Sequence, residues 1–158
     1  MIYADSSFLL RLISREIGSE AAVDAFRKLG RPRMAFTPLH EIEVRNGLRL
    51  KAFVEKKSLP ARLRNRVEQD LAEWESRLDR FIKRSVFTPV DGKWSEATKR
   101  ARELSKTHTL KLGTRAYDIL HVGFALELHC RVFVTSDERQ ARLAKAAGMK
   151  TRLVNIDG

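Results

Sequence analysis

The sequence predicts an α/β fold: a three-layer α/β/α sandwich around a parallel sheet of about five strands. Short apolar runs alternate with longer stretches whose apolar residues recur every three or four positions, as strands and amphipathic helices do. Strand–helix alternation favours parallel pairing through right-handed crossovers. With 158 residues, 43% of them hydrophobic, the chain is long enough for one proper core, so we expect a single domain over residues 1–158.

Residues 114–137 show this alternation most clearly. A helix is predicted by apolar residues at spacings of three and four, which we expect to face the core: Tyr117, Leu120, Phe124 and Leu128. The run 132–134 predicts a short buried strand. Asp118 falls in the first turns of the helix, and Asp137 falls just past the strand. Ligands of open α/β sheets bind where strands end, so both acids are candidate site residues.

The other elements follow in chain order. Ser6 or Ser7 can cap the helix after the first strand, and Thr37 with Pro38 can start the helix after the second. Pro89 within the third strand indicates an edge position. The predicted strands are 2–4, 34–37, 86–90, 132–134 and 150–155, the predicted helices include 19–30, 60–84, 94–107 and one ending at Gly148, and 108–113 is predicted to be a loop.

Two acids in the helix after the second strand can be told apart by their angular positions. At about 100° per residue, Leu39, Ile42, Leu50 and Phe53 predict one apolar face. Glu43 lies on the edge of that face, whereas Glu41 lies on the opposite side. Glu41 is then a solvated first-turn acid, and Glu43 points inward, where a carboxylate needs a donor, a base or a metal as its partner.

The long charged helix over 60–84 carries an apolar seam at spacings of three and four: Leu63, Val67, Leu71, Trp74, Leu78 and Phe81. Together with the helix before it, this segment predicts a helical hairpin over residues 48–84 that protrudes from the sheet.

The net charge of +11 is unevenly distributed. Residues 1–43 sum to zero, whereas residues 44–84, 93–115 and 131–152 carry +6, +5 and +4. A strongly basic domain usually meets a polyanion, most often a nucleic acid, although a Lys/Arg-rich solvated surface is the alternative. The single Cys130 excludes an internal disulfide and fits a cytoplasmic protein. No apolar run approaches the about 18 residues of a membrane span, and Asp5 lies where a signal peptide would be apolar.

Four carboxylates are the candidate chemistry: Asp5, Glu43, Asp118 and Asp137. Clustered acids repel each other, and a hard divalent cation such as Mg²⁺ relieves this repulsion. One or two such ions could activate water for phosphodiester cleavage. Each acid also has a simpler interpretation: Asp5 and Asp137 could cap helices, and Asp118 could pair with Arg115. His121 is interpreted as a packing or hydrogen-bonding residue rather than a metal ligand.

Four motifs in order resemble the PIN-domain family and, more narrowly, bacterial VapC-type toxin ribonucleases: IYADSSFLL at 2–10, TPLHEIE at 37–43, YDILH at 117–121 and VFVTSD at 132–137. The resemblance covers essentially the whole chain. It places the family's catalytic and metal-binding acids on Asp5, Glu43, Asp118 and Asp137, with supporting hydroxyls on Ser6 and Thr135. The hairpin over 48–84 is longer than in compact members.

The resemblance implies an endoribonuclease that depends on Mg²⁺ or Mn²⁺, forms a homodimer and is inhibited by a small antitoxin protein. We expect the substrate to be single-stranded or looped RNA, since proteins read unstacked bases. Arg11, Arg45 and Arg115 lie near the acids in sequence and are candidate phosphate contacts, although each could equally be a surface or ion-pair residue.

Three other functions compete with this one. A non-catalytic RNA-binding or scaffold domain of the same fold would keep the basic surface and need no metal. A phosphoacceptor receiver domain would need a Lys after the last strand, where Asn155 to Gly158 offer none. A phosphohydrolase with an Asp-x-Asp nucleophile is excluded, because Ser7 occupies the second acidic position.

Overall fold

A computed structural model describes residues 1–155 and has the predicted alternation of strands and helices. Its strands are β1 Tyr3–Ala4, β2 Met34–Phe36, β3 Phe87–Pro89, β4 Val132–Thr135 and β5 Lys150–Leu153. Its helices are α1 Ser6–Ile13, α2 Ser19–Lys28, α3 Pro38–Ser58, α4 Arg64–Lys83, α5 Trp94–Leu104, α6 Leu110–Leu112, α7 Ala116–Glu127 and α8 Glu138–Ala146. A 3₁₀ turn, Ala61–Leu63, precedes α4, and a π-helical turn, Ser105–Thr109, joins α5 to α6.

All strand pairs are parallel, which confirms the predicted sheet type. The expected continuous five-stranded sheet is divided, however, into a three-stranded sheet, β1-β4-β5, and a two-stranded sheet, β2-β3. A single bridge between Ile2 and Met34 joins them. The division follows from the length of β1, which has two residues before the chain turns into α1. Pro89 lies on β3, which pairs only with β2, so its predicted edge position is confirmed.

Hydrophobic residues pack on both faces of these strands, and this packing produces the three layers. Successive residues of β1 point to opposite faces, as the two-residue period of a strand requires. Ala4 packs in a cluster with α1 to α4, and Tyr3 packs in a second cluster with α5, α7 and α8. The predicted α/β/α arrangement is therefore confirmed.

The predicted apolar face of α3 is wrong. Leu39 is buried, but Ile42 and Phe53 are 64% and 54% exposed, and Leu50 is exposed as well. The buried side of the helix carries His40, Val44, Leu48 and Ala52. Helix α3 has apolar residues on two opposite sides, and the side with the smaller residues packs against the core. Gly47 marks this contact, since a Cβ built there would lie 2.8 Å from Leu10 Cδ1.

The predicted core stripe of α7 is wrong for Tyr117, but it is confirmed for the three residues that pack in the core: Leu120, Phe124 and Leu128. Tyr117 is 57% exposed, and the buried side of the helix also includes Ile119 and Val122. Helix α7 packs against α5 at Gly123, where a Cβ would lie 2.6 Å from the carbonyl oxygen of Ala97. This close helix–helix approach fixes which side of α7 faces inward.

Residues 108–113 are not a loop. The helix that begins at Trp94 continues through the π turn into α6 and ends at Gly113, which has a φ of +63°. Glycine adopts this left-handed conformation at little cost, which explains why the helical segment ends there.

Helices α3 and α4 form the predicted hairpin. Val67, Trp74 and Leu78 of the seam are buried, as expected, whereas Leu63 is exposed. Residues 60–66, at the end of the hairpin, are all exposed. Salt bridges cross between the two helices, including Arg49 with Glu75 and Lys56 with Glu68. Within the described residues, no helix is both long and apolar enough to cross a membrane.

Candidate active site

The strand order β3-β2-β1-β4-β5 reverses direction at β1, since the chain moves first to β2 on one side and later to β4 on the other. Ligands of doubly wound sheets bind in the crevice at the carboxyl ends of strands beside such a reversal. Asp5 directly follows β1, and the loop that carries Asp137 follows β4. The topology therefore brings two of the four predicted acids to one place.

Asp5 is the N-cap of α1, so the predicted cap at Ser6 or Ser7 is wrong. Its carboxylate accepts hydrogen bonds from the Phe8 amide at 2.7 Å and from the Ser7 hydroxyl at 3.0 Å. The residue is 4% exposed, and no base forms an ion pair with it among residues 1–155. Burial raises the pKa of this carboxyl, although its hydrogen bonds, led by that from Thr135, oppose the shift.

Thr135, at the end of β4, connects Asp5 to the other side of the crevice. Its hydroxyl oxygen lies 2.6 Å from Asp5 Oδ2 and 2.9 Å from Gln140 Oε1, and it accepts a hydrogen bond from the Asp137 amide at 3.0 Å. A hydroxyl carries one proton and can donate to only one of two acceptors. Protonated Asp5 could donate to Thr135, which could then donate to Gln140. A Thr135 hydroxyl that donates to Asp5 stabilises the charged carboxylate and opposes the effect of burial on its pKa.

Glu43 lies across the crevice on α3 and is held by two donors. Its Oε2 accepts hydrogen bonds from the Ser6 hydroxyl at 2.8 Å and from His121 Nε2 at 2.5 Å. Its side chain is 25% exposed, so it points inward as predicted, although the apolar face used for that prediction is the exposed one. Burial raises the pKa of this carboxyl, but the hydrogen bonds from His121 and Ser6 outweigh burial, so the pKa is lowered.

His121 is a hydrogen-bonding residue, as expected. Its Nδ1 lies 2.9 Å from the Tyr3 hydroxyl, and its Nε2 contacts Glu43. A carboxylate only accepts, so Nε2 carries a proton; in the neutral ring the Tyr3 hydroxyl then donates to Nδ1. Tyr3 is fully buried, and desolvation raises its pKa well above the usual value, so this donor stays protonated.

His40 is a buried residue that connects the start of α3 to the end of β1. Its Nε2 donates to the carbonyl oxygen of Ala4 at 2.8 Å, and its Nδ1 accepts from the Thr37 amide at 3.0 Å. Burial, together with the nearby His121, lowers the pKa of His40 well below the usual value, which keeps the ring neutral. The ring therefore fixes the start of α3 relative to the end of β1.

Asp118 and Asp137 are held differently, by backbone amides at the starts of helices: Asp137 is the N-cap of α8, and Asp118 lies in the first turn of α7. Asp118 Oδ2 accepts from the backbone amide of Arg115 at 3.1 Å, and no ion pair joins the two side chains. Asp137 Oδ1 accepts from the amides of Arg139 and Gln140 at 2.7 and 3.1 Å. Both acids are half-buried, so their capping roles leave them accessible. The capping interpretation of Asp5 and Asp137 is thus confirmed.

Gln140 is a site residue that the motif analysis missed. Its side chain is buried on the inner side of α8, and it links Thr135 to the backbone carbonyl oxygen of Asp118, which its Nε2 approaches at 3.4 Å. A glutamine three residues after the capping Asp137, on the same side as the buried Leu143 and Ala144, was the available signal. It completes a chain of hydrogen bonds from β1 to α7.

The three candidate arginines differ in their surroundings. Arg11 donates to the carbonyl oxygens of Ser7 and Ile17. Arg45 is paired with both Glu41 and Asp79. Arg115 is exposed, and its side chain forms no ion pair within residues 1–155. Phosphate binding by Arg11 or Arg45 would require an exchange of partners, whereas Arg115 is available without one.

A cleft of about 530 Å³ lies beside the crevice, between the carboxyl ends of β2 and β3 and the helices α3 and α4. Its charged rim includes the Arg45, Glu41 and Asp79 cluster, together with Lys83 and Asp91. None of the four predicted acids lines it. This cleft is therefore separate from the carboxylate network.

Among the described residues, no group of three or more His, Cys, Asp and Glu side chains is arranged to hold a metal ion. The donor set itself suits Mg²⁺ or Mn²⁺, which prefer carboxylate oxygens. Asp5 lacks a compensating base, and the buried hydroxyl of Ser136, next to Asp137, has no hydrogen-bond partner. Both features fit a site that accepts an additional polar or charged group.

The sequence matches the PIN domain family over residues 2–146, a range that contains all four acids. PIN domains are generally metal-dependent nucleases. A comparison with curated proteins found no significant match. Because the match spans most of the chain and the parallel α/β/α fold agrees with it, the chain belongs to the PIN-domain family.

Proposed function

We propose that this protein is a metal-dependent endoribonuclease, the toxin of a VapBC-type toxin–antitoxin module, and that it acts in the cytoplasm. The observation that carries the proposal is the pair of hydrogen-bond networks at the strand reversal, one around Glu43 and one around Asp5. Ser6 and His121 hold the Glu43 carboxylate, while Thr135 contacts the Asp5 carboxylate, the Asp137 amide and Gln140, whose Nε2 lies 3.4 Å from the Asp118 carbonyl oxygen. A purely structural network would not need four acids with so few bases among them.

Asp5, Glu43 and Asp118 are the residues that would hold Mg²⁺ or Mn²⁺, with Asp137 contributing directly or through water. When bound, the metal would make a water molecule more acidic and neutralise charge that develops on the phosphate. The protein's own contribution is orientation. His121 and Ser6 fix one oxygen of Glu43, while Oε1 receives no hydrogen bond from a described residue and stays available.

Asp5 contributes through its environment. It is buried and has no ion-paired base among residues 1–155, so burial raises its pKa and its charged form would gain most from a cation. Thr135 and Ser7 hold its carboxylate in place. We therefore expect metal binding to lower the pKa of Asp5, and metal binding to weaken as the pH falls.

The toxin role and the partners rest on resemblance and charge rather than on the site. The RNA substrate is supported by the net charge of +11. The small antitoxin and the homodimer are supported by the likeness of the four motifs to VapC-type toxins. A non-catalytic RNA-binding domain is the alternative, and it would retain the basic surface without needing the acids.

The test is cleavage of a mixed RNA substrate with Mn²⁺, with Mg²⁺ and with EDTA. The sharpest variant pair is Glu43→Gln against Glu41→Gln, since both acids lie on α3 and only Glu43 reaches the network. We expect Glu43→Gln to lower cleavage by about 100-fold or more and Glu41→Gln to leave it nearly unchanged. Asp5→Asn and Asp118→Asn should behave like Glu43→Gln.

Equal loss in both glutamine variants, or cleavage that persists in EDTA, would contradict the assigned site. RNA binding without cleavage under any condition would favour the non-catalytic alternative. For the toxin role, expression of the wild-type protein should arrest bacterial growth, and co-expression of a small protein encoded beside its gene should relieve the arrest. Growth unaffected by an active nuclease would contradict it.

A further inference from the structure

We propose that residues 99–117, here called the basic segment, bind the phosphate backbone of single-stranded RNA and lead it to the acidic crevice. The proposal rests on the proposed function in that RNA is taken as the substrate. It goes beyond that function by assigning RNA binding to one of several basic surfaces. The basic segment comprises the end of α5, the π turn, α6 and the start of α7.

Ion pairing separates this segment from the equally basic hairpin. Within residues 44–84, five of the twelve bases pair with acids: Arg45, Arg49, Lys51, Lys56 and Arg77. Within residues 93–115, none of the seven bases forms an ion pair with a described residue. Arg45, Arg49 and Lys56 join α3 to α4 in this way, and the seven hairpin bases that form no ion pair with a described residue are spread over residues 44–84. The seven bases of residues 93–115, which likewise form no such ion pair, are concentrated in a shorter stretch, where they remain available to a polyanion.

The available cations lie on the outer side of the helix. Lys99, Arg102 and Lys106 follow one another at spacings of three and four, which keeps them on one side. Ala97, Ala101 and Leu104 face the core on the other side. Glu96 and Glu103 lie in the same part of the chain, but they leave it a charge of +5. A row of cations on one face suits the regularly spaced charges of a phosphate backbone.

The row of cations ends at the crevice. Helix α6 contacts α8, whose N-cap is Asp137, and the Thr109 and Thr114 hydroxyls lie 3.3 Å apart across Gly113. The backbone amide of Arg115 then donates to Asp118. A strand bound along Lys106, Lys111 and Arg115 would therefore reach the acids without leaving the surface.

An exposed aromatic ring lies at the same end. Tyr117 is 57% exposed and precedes Asp118. An exposed ring beside cations offers a surface on which an unstacked base can stack, which is a common feature of single-strand binding. An acidic protein could also bind the cations and pack on the ring, but the regularly spaced charges of a phosphate backbone match the row of cations more closely. RNA is therefore the occupant that accounts for both features.

The test measures binding of a labelled single-stranded RNA to the full chain in EDTA, by fluorescence anisotropy at several salt concentrations. The triple variant Lys99→Gln/Lys106→Gln/Lys111→Gln removes three charges from the basic segment. The matched control, Arg62→Gln/Arg64→Gln/Arg84→Gln, removes three exposed charges from the hairpin, none of which forms an ion pair with a described residue. Tyr117→Ala is compared with Tyr117→Phe.

We expect the basic-segment variant to bind about 100-fold more weakly at about 0.1 M salt, with a salt slope smaller by about 2. The hairpin variant should bind within about threefold of the wild type. Tyr117→Ala should weaken binding by about 5- to 100-fold, and Tyr117→Phe should retain it, because stacking needs the ring and not the hydroxyl.

Equal weakening in both triple variants, or weakening only in the hairpin variant, would overturn the proposal while leaving the nuclease function intact. Stronger binding of polyglutamate than of RNA would also overturn it, in favour of an acidic protein partner. Absence of RNA binding by the wild type would overturn both. Because binding is measured without metal, an inactive protein that still shows the expected difference supports this inference and contradicts only the nuclease function.

Discussion

The fold holds Asp5 and Glu43 in a different way from Asp118 and Asp137. The first pair is linked to buried side chains, namely Thr135, Ser6 and His121, and its carboxyl pKa values are displaced from their usual range. The second pair accepts hydrogen bonds from backbone amides at helix starts. Substitutions that disturb the first pair should therefore change stability through buried contacts. Substitutions at the second pair should have smaller effects, because only hydrogen bonds at helix starts are lost.

The largest effect is expected for His121→Ala. This variant removes the donor to Glu43 and leaves the fully buried Tyr3 hydroxyl without its partner, so the free energy of unfolding should fall by about 2–4 kcal/mol. Urea unfolding measures it. His108→Ala, at a half-buried histidine outside the network, is the control and should change stability by less than about 0.5 kcal/mol. Similar losses in both would show that Glu43 is not held as described.

A smaller loss is expected for Asp137→Ala, which removes the cap of α8 and should cost about 1 kcal/mol. Asp137→Asn keeps an oxygen that can accept the same amide hydrogen bonds, so its stability should stay within about 0.5 kcal/mol of the wild type. Thermal unfolding of both variants without metal measures this difference. If Asp137→Asn lost as much stability as Asp137→Ala, capping would not explain the role of Asp137, and the contrast between the two pairs would fail.

Asp5→Asn should stabilise the metal-free protein at neutral pH. The substitution removes a buried charge, and the new amide can donate to Thr135, which can then donate to Gln140. We expect a rise of about 2–4 °C in the melting temperature, corresponding to about 1 kcal/mol. The same variant should lose metal-dependent cleavage. A lower melting temperature would contradict the assigned environment of Asp5.

The smallest expected effect concerns pH: the contributions of Glu43 and Asp5 to folding stability should depend on pH in opposite directions. The folded-state pKa of Glu43 is lowered, so its contribution to stability is present above the unfolded pKa and is lost as the pH falls through the folded pKa. The folded-state pKa of Asp5 is raised, so its contribution is present at low pH and is lost as the pH rises through that value.

Stability measured from acidic to neutral pH, for the wild type against Glu43→Gln and against Asp5→Asn, should therefore give differences of opposite slope. Glu43→Gln should be most destabilising at neutral pH, and Asp5→Asn should be most stabilising there. If the stability change varied with pH in the same direction in both variants, the pKa values of Asp5 and Glu43 would not be displaced in opposite directions.

The sequence was sufficient for the parallel α/β/α fold and the order of its elements, because short apolar runs and helical periodicity are local properties. It was insufficient for the buried side of α3. Ile42, Leu50 and Phe53 form as good an apolar face as Val44, Leu48 and Ala52, and periodicity cannot choose between two such faces. Gly47 was the local sign of the choice, since only the side with the small residue can approach α1.

For the site, the sequence located acids next to strand ends but could not give their surroundings. The bond between Glu43 and His121 joins residues 78 positions apart, and that between Asp5 and Thr135 joins residues 130 positions apart. Such contacts depend on the strand order. Gln140 was missed for the same reason, since its partners become visible only when α8 is placed against β4 and α7. The four-acid metal set stays a prediction.

Among residues 1–155, one bridge, between Ile2 and Met34, links β1 to β2, which is less pairing than at any other strand boundary. Side chains of the crevice cross this boundary where the ladder of backbone hydrogen bonds is missing: His40 holds the Ala4 carbonyl, and Glu43 holds Ser6. These side-chain hydrogen bonds therefore help to hold the elements around β1 against those around β2. Loss of the crevice hydrogen bonds should therefore speed amide hydrogen exchange near Ile2 and Ala35, so exchange at this boundary would report on the crevice without an activity assay.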